Sequence, residues 1–318
     1  MKKIVTIGGG TGQYNLLRGL KNYDVDLSAI VSIVDTGGSS GELRTSFGVL
    51  PPGDIRNCLL ALTDDFRLKD LKGLFEYRFS EAKGTGLSNH SMGNLILTAL
   101  NKKHGNLGDA TKVAASILDI KGKVLPVSIE NTNIYAKTQS GKILEKEEKI
   151  SYGDFEERIK DLWLKPKAHI YGDAAKEIRE ADLIVICPGL LYTSIIPNFL
   201  VEGFKKAIEA SNAKICYVCN LVSGKGTSGF NVEDFIQEIE KYLGKELDYV
   251  ICNKKKPTQK IVDKYSKEES YFVEPGLEKS NKKTKKIVSN LLEEEFIGDL
   301  ITARHNQNKI AKLIMDLL

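Results

Sequence analysis

Short apolar runs alternate with longer amphipathic stretches along most of the chain. "KIVTIG" (3–8) reads as a buried strand, and "QYNLLRGLKNY" (13–23) as a helix with Leu16, Leu17 and Leu20 on one face. "SAIVSIVD" (28–35) is a second buried strand, and helical patterns follow around 54–63, 68–79, 91–103 and 109–120. A strand, a helix and a strand joined through a glycine-rich first turn predict a βαβ unit and a parallel sheet. Residues 121–150 change character. "KVLPVSI", "NIYAKTQ" and "GKILEKE" are strand-like pieces divided by "EN" and "SG", which predicts an antiparallel hairpin or meander.

After 165 the α/β alternation resumes. "DAAKEIREAD" reads as a helix opening at an Asp cap, and "DLIVICPG" as a buried strand. "IPNFLVEGFKKAIEAS" reads as one helix with Pro near its first turn. "AKICYVCN" and "DYVICN" are strands flanking "NVEDFIQEIEKYLG", a helix capped by Asn231. The predicted fold class is α/β: a Rossmann-like, doubly wound, mostly parallel sheet with a small antiparallel hairpin insertion. Residues 1–318 form a single domain in this reading, with the β insertion at 121–150 and a basic, helical C-terminal extension at 254–318 packed on it.

Composition narrows the class. With 42% apolar and 28% charged residues the chain reads as soluble and globular, and a net charge of +4 does not argue for nucleic acid. The lysine-rich stretch 254–286 lacks interleaved aromatics for base stacking, so it is read as a solvated face. The N-terminal apolar run is too short for a signal-peptide core, and no run of 18 apolar residues predicts a membrane span. The five cysteines lie in apolar segments and read as buried free thiols of a cytoplasmic protein. The C-x-x-C at 216–219 sits in a strand, which sends its two thiols to opposite faces, and with no second C-x-x-C or helical His pair nearby it argues against zinc or redox use.

The candidate chemistry lies in six polar loops. "GGGTGQYN" (8–15) follows the first strand and opens a helix; Gly9, Gly10, Thr11 and Gly12 can bring backbone N–H groups to an anion. Gln13 departs from G-x-G-x-x-G, and no Gly-Lys-Ser/Thr follows, so neither the dinucleotide fingerprint nor the P-loop is met. In "VDTGGSSGELR" (34–44), Asp35 ends the second strand where a Rossmann unit carries its ribose-binding acid. Gly37, Gly38, Ser39 and Ser40 then offer N–H groups and hydroxyls suited to phosphate. "PPGDIRNCLLAL" (51–62) holds Asp54, placed to cap a helix or to face a ligand, and Asn57. "GTGLSNHSMGNLILTAL" (84–100) holds His90 and Asn94 at a helix start. "CPGLLYTSIIPN" (187–198) contributes Gly189, Tyr192 and Ser194, and "CNLVSGKGTSGFN" (219–231) contributes Asn220 and Lys225. Loops at the carboxyl edge of a doubly wound sheet suit a ligand with phosphates and hydroxyls. No Ser-His-Asp signature, nucleophile elbow or H-E-x-x-H is present.

In these loops, and in "GKVLPVSIEN" and "RHNQNKIAK", the chain resembles the gluconeogenesis factor family, which is related to 2-phospho-L-lactate transferases. The motifs run in the family's order from residue 7 to 312. The resemblance implies a Rossmann-like fold, a UDP-sugar ligand such as UDP-N-acetylglucosamine, and a role in carbon metabolism and cell shape on gluconeogenic carbon sources. It implies nucleotide-sugar contacts for Thr11, Tyr265 and Arg304; the guanidinium suits a diphosphate. Two departures stand out. Thr36 replaces the second of two adjacent aspartates, which weakens magnesium-assisted transfer, and Asn89 replaces a glycine, a turn that Asn tolerates.

Two functions follow. One is a nucleotide-sugar-binding regulator, with no resident metal or cofactor and a regulatory protein as partner. The other is a transferase of phosphorus-containing groups using Asp35, Asp54 and His90, with Mg2+ if it acts this way. Gln13 weakens a third, NAD-dependent oxidation. A homodimer is the default expectation for a symmetric oligomer.

Overall fold

The computed structural model describes residues 1–81, 84–276, 283–297 and 300–318; Asn281 and Lys282 of the lysine-rich stretch lie outside them. Its strands in chain order are β1 (Lys3–Gly8), β2 (Asp26–Val31), β3 (Lys123–Pro126), β4 (Asn133–Thr138), β5 (Ile143–Glu145) and β6 (Ile159–Lys165). They continue with β7 (Leu183–Ile186), β8 (Lys214–Val218), β9 (Tyr249–Asn253), β10 (Lys285–Ser289), β11 (Leu292–Ile297) and β12 (Leu300–His305). The main sheet has seven strands in the order β3-β2-β1-β7-β8-β9-β10. Every neighbouring pair in it is parallel. This is the Rossmann order with one further strand, and its direction reverses between β1 and β7. Ile4, Ile7, Ile30, Val185, Ile215 and Val250 are fully buried, because helices cover both faces of a parallel sheet.

Three helices follow β1 and β2 in the chain: α1 (Gly10–Leu20) after β1, then α2 (Gly38–Phe47) and α3 (Gly53–Leu62) after β2. Gln13 stands where a third glycine would, and its buried amide donates to Thr6 O at 3.3 Å and Ile30 O at 3.1 Å. It ties α1 to both β1 and β2.

Several sequence expectations are corrected. "KVLP", assigned to the β insertion, is the outer strand β3 of the main sheet, with Ser28 opposite Lys123. The inserted antiparallel sheet is instead β5-β4-β6 and reaches Lys165. The segment after Gly37, read as a loop, coils into α2. That helix closes on a left-handed Gly48, and Arg44 within it donates to Asn131 Oδ1 at 2.6 Å and to Thr132 O. The single helix expected over 196–211 breaks. Glu202 N donates to Ala168 O and its carbonyl accepts from Ile170 N, taking backbone groups a continuous helix would need, and Phe204–Glu209 restarts after Gly203. Asp173 lies inside the first turn of Gly172–Glu180 without capping it and pairs with Lys112 at 2.8 Å. The C-terminal extension is not only helical: it supplies β10 and the β11–β12 hairpin, then a helix over Gln307–Met315 packed against α1.

Other expectations hold. Asn231 caps Val232–Leu243 in a full capping box with Asp234. The five cysteines are free and buried, and Asn89 adopts φ +61°. Among the described residues no helix is long and apolar enough to cross a membrane.

Candidate functional site

A cleft opens over the carboxyl ends of β2, β1, β7 and β8, at the point where the strand order reverses. It has two adjoining lobes, of about 350 Å³ toward β2 and about 270 Å³ toward β8. Thr11, Gly12, Gly189, Leu190 and Thr193 wall both. The loops after β1 and β7 therefore form its floor. They touch backbone to backbone: a Cβ on Gly12 would lie 1.9 Å from Pro188 O. Asn220 holds the β7 loop from the other side, its amide donating to Gly189 O at 2.6 Å.

The β2-side lobe is acidic. Asp35, Asp54 and Glu147 line it, with Ser32, Tyr152 and Ser194. Asp54 does not cap α3; it sits under the glycine turn, accepting from the Gly10 N–H, and a Cβ on Gly9 would lie 2.8 Å from Asp54 Oδ2. Burial pushes its carboxyl up to about 7, Asp35 and Glu147 add to this, and the Gly10 N–H and Arg56 oppose it. Burial also raises Asp35, against the pull of the Gly37 N–H (2.9 Å) and Arg44. Glu147 is raised by burial as well, although Ser151 Oγ donates to it at 2.6 Å.

Glu147 was invisible in the sequence reading, and Thr36 explains how it arrives. The Thr36 hydroxyl accepts from Glu148 N at 3.3 Å, and the Thr36 N–H donates to the Glu147 carboxylate. Thr36 thus anchors a helix, Glu147–Tyr152, that brings in a carboxylate from the insertion. Among the described residues, no three or more His, Cys, Asp and Glu side chains are arranged to hold a metal ion. Asp35, Asp54 and Glu147 share this one lobe.

The β8-side lobe carries two paired cations. Lys225 and Arg304 line it, each tethered to a carboxylate outside its wall: Lys225 to Glu269 at 2.7 Å and Arg304 to Glu295 at 3.4 Å. Asn220 and Tyr192 belong to the same wall; Tyr192 is buried, which raises its phenol, and its hydroxyl has no partner among the described residues. His305 is a further lining residue that sequence reasoning missed. Burial pushes its imidazole down to about 4, against a bond to the Cys219 backbone, so it is neutral near pH 7. Tyr265 is not in the wall. Its hydroxyl accepts from Ala303 N at 3.1 Å and so braces the strand that carries Arg304.

The remaining predicted residues form a polar cluster outside both walls. Asn94 donates to Ser39 and Ser40 at 3.5 Å each, and His90 Nε2 pairs with Glu42 at 3.2 Å. Asn57 accepts from Arg56 at 2.9 Å, and Arg56 also donates to Ser91. Gly37 and Gly38 lead into α2, and a Cβ on Gly37 would lie 3.5 Å from Asp35 Oδ1. Of the three acid–base candidates, Asp35 and Asp54 share the acidic lobe and His90 does not line it.

Fold and cleft together define a doubly wound α/β protein whose open site lies at the switch point. Residues 4–292 match the family described as 2-phospho-L-lactate transferase CofD. The gluconeogenesis factor of Bacillus subtilis is 36% identical over 319 residues, covering 99% of this chain and 98% of that one. The gluconeogenesis factor of Listeria innocua is 42% identical over 255 residues, 79% of this chain and 77% of that one. A crystal structure of a Bacillus halodurans protein superposes with a TM-score of 0.90 at 36% identity, covering 99% of each chain. The chain belongs to the CofD family and, within it, to the gluconeogenesis factors.

Proposed function

We propose that this gluconeogenesis factor binds a nucleotide sugar of the UDP-N-acetylglucosamine or UDP-glucose type and acts as a regulator without turning it over. The observation that carries the reading is the division of charge along one cleft. Lys225 and Arg304 face one lobe, the glycine turn and the first turn of α1 form the floor, and carboxylates face the other lobe. Such a cleft offers a diphosphate both fixed cations and free backbone N–H groups. The resemblance of the loop motifs implies the same ligand class, and a role in cell shape on gluconeogenic carbon sources would follow from signalling its level.

Arg304→Ala is expected to weaken UDP-sugar binding about 10- to 100-fold, the loss of one charge-assisted contact, with little change in melting temperature because the side chain is partly exposed. Titration calorimetry checks it, and unchanged affinity would remove Arg304 from the site.

The family match favours a second reading, a transferase acting from a nucleotide-activated donor, with Asp54 as the proton-bearing group. Phosphorus NMR of the protein with UDP-sugar, acceptors and Mg2+ separates the two. New phosphorus resonances that disappear in Asp54→Asn would establish the transferase.

A further inference from the structure

We propose that the acidic lobe is the subsite for the sugar ring, whose hydroxyls Ser32, Glu147 and Asp35 hold while Tyr152 covers its open side. This rests on the nucleotide-sugar reading above and adds the orientation of the ligand.

Three observations carry it. First, charge fixes direction. A diphosphate placed in the β2-side lobe would meet Asp35, Asp54 and Glu147, whereas in the other lobe it meets Lys225 and Arg304. The floor shared by the two lobes lets one ligand reach both, so the neutral, hydroxyl-bearing part falls among the carboxylates. Second, Ser32 is 4% exposed, lines this lobe and has an Oγ with no hydrogen-bond partner among the described residues. A buried hydroxyl left unpaired is costly unless something else pairs with it, and a sugar hydroxyl can both donate to it and accept from it. Third, Tyr152 lines the same lobe while 74% exposed. An exposed aromatic beside carboxylates offers an apolar face for a pyranose ring and acceptors for its hydroxyls.

Glu147 and Tyr152 both lie on the short helix that Thr36 anchors. The β insertion therefore adds Glu147 and Tyr152 to the sugar subsite that Ser32 and Asp35 of the doubly wound core begin.

The test is titration calorimetry in EDTA with UDP-N-acetylglucosamine and with UDP, on the wild-type protein and on Ser32→Ala, Glu147→Gln and Tyr152→Ala. The wild type should bind the sugar nucleotide more tightly than UDP. Each variant should lose about tenfold or more toward the sugar nucleotide and keep its UDP affinity. Ser32→Ala removes an unpaired group, so it should leave the melting temperature unchanged or raise it, which separates a binding role from a structural one. Equal losses for both ligands, or no loss for either, would overturn the placement, as would a wild type that gains nothing from the sugar over UDP. Losses for both ligands that appear only when the titrations are repeated in Mg2+ without EDTA would assign the carboxylates to a cation and also overturn it. A wild type that binds neither ligand removes the nucleotide-sugar reading itself, a result distinct from all of these.

Discussion

Asp54→Asn should stabilise the protein at pH 8 and flatten its pH dependence. Buried Asp54 keeps its proton up to about pH 7, whereas in the unfolded chain the carboxyl ionises near 4. Between these values the native state binds the extra proton. This contribution is complete below pH 4, declines as pH rises and is gone above about 7. Three pH units at 1.36 kcal/mol each set an upper bound on the order of 4 kcal/mol for the cost of the charged form. Asparagine has the same shape and can still accept from the Gly10 N–H, but it carries no charge to repel Asp35 and Glu147. Urea unfolding at pH 5 and pH 8 should therefore show the variant gaining roughly 2–4 kcal/mol at the higher pH and about a third of that at the lower. An equal effect at both values would mean that Asp54 is charged throughout.

Gly12→Ala should be among the most damaging single-methyl changes in the cleft. The new Cβ would lie 1.9 Å from Pro188 O and 2.7 Å from Pro188 C, both backbone atoms that no rotamer change can move. The loops after β1 and β7 would have to part at the switch point. Overpacking of this kind costs about 1–3 kcal/mol and occasionally more, and here it also displaces the floor shared by both lobes. Ligand binding should be lost along with stability. Gly38→Ala is the control. Its φ is +49°, so alanine is strained there, but nothing lies within 4 Å of its Cβ, and the cost should stay near 1 kcal/mol. Scanning calorimetry of the two variants checks the ranking; similar melting temperatures would contradict the close approach.

The parts of this fold that were legible in the sequence are those whose cause is local. Buried runs such as "LIVI" and "KICYV" declare themselves as strands because both faces of a parallel sheet are apolar. The glycine turn was readable because its need for bare backbone is written in the residues that form it. What escaped depended on distant partners. "KVLP" looks like a hairpin strand until β2 is seen beside it. The helix at 196–211 breaks because Glu202 pairs with residues 168 and 170. The site divided the same way. Asp35 and Asp54 sit in loops that announce chemistry. Glu147 and Tyr152 come from a short helix in the insertion, and Ser32 and His305 are single polar residues at strand ends. The Thr36 hydroxyl pairs with a backbone group more than a hundred residues away, which nothing local to Thr36 announces.

The measurement that bears most directly on the central claim is the melting temperature in EDTA with UDP-N-acetylglucosamine, UDP-glucose, GDP or NAD, repeated with Mg2+. A ligand at 100 times its dissociation constant adds about 2.7 kcal/mol, a readily detected shift. The account predicts stabilisation by the UDP-sugars without metal and none by GDP or NAD. Stabilisation only by GDP with Mg2+, or by NAD, would contradict it.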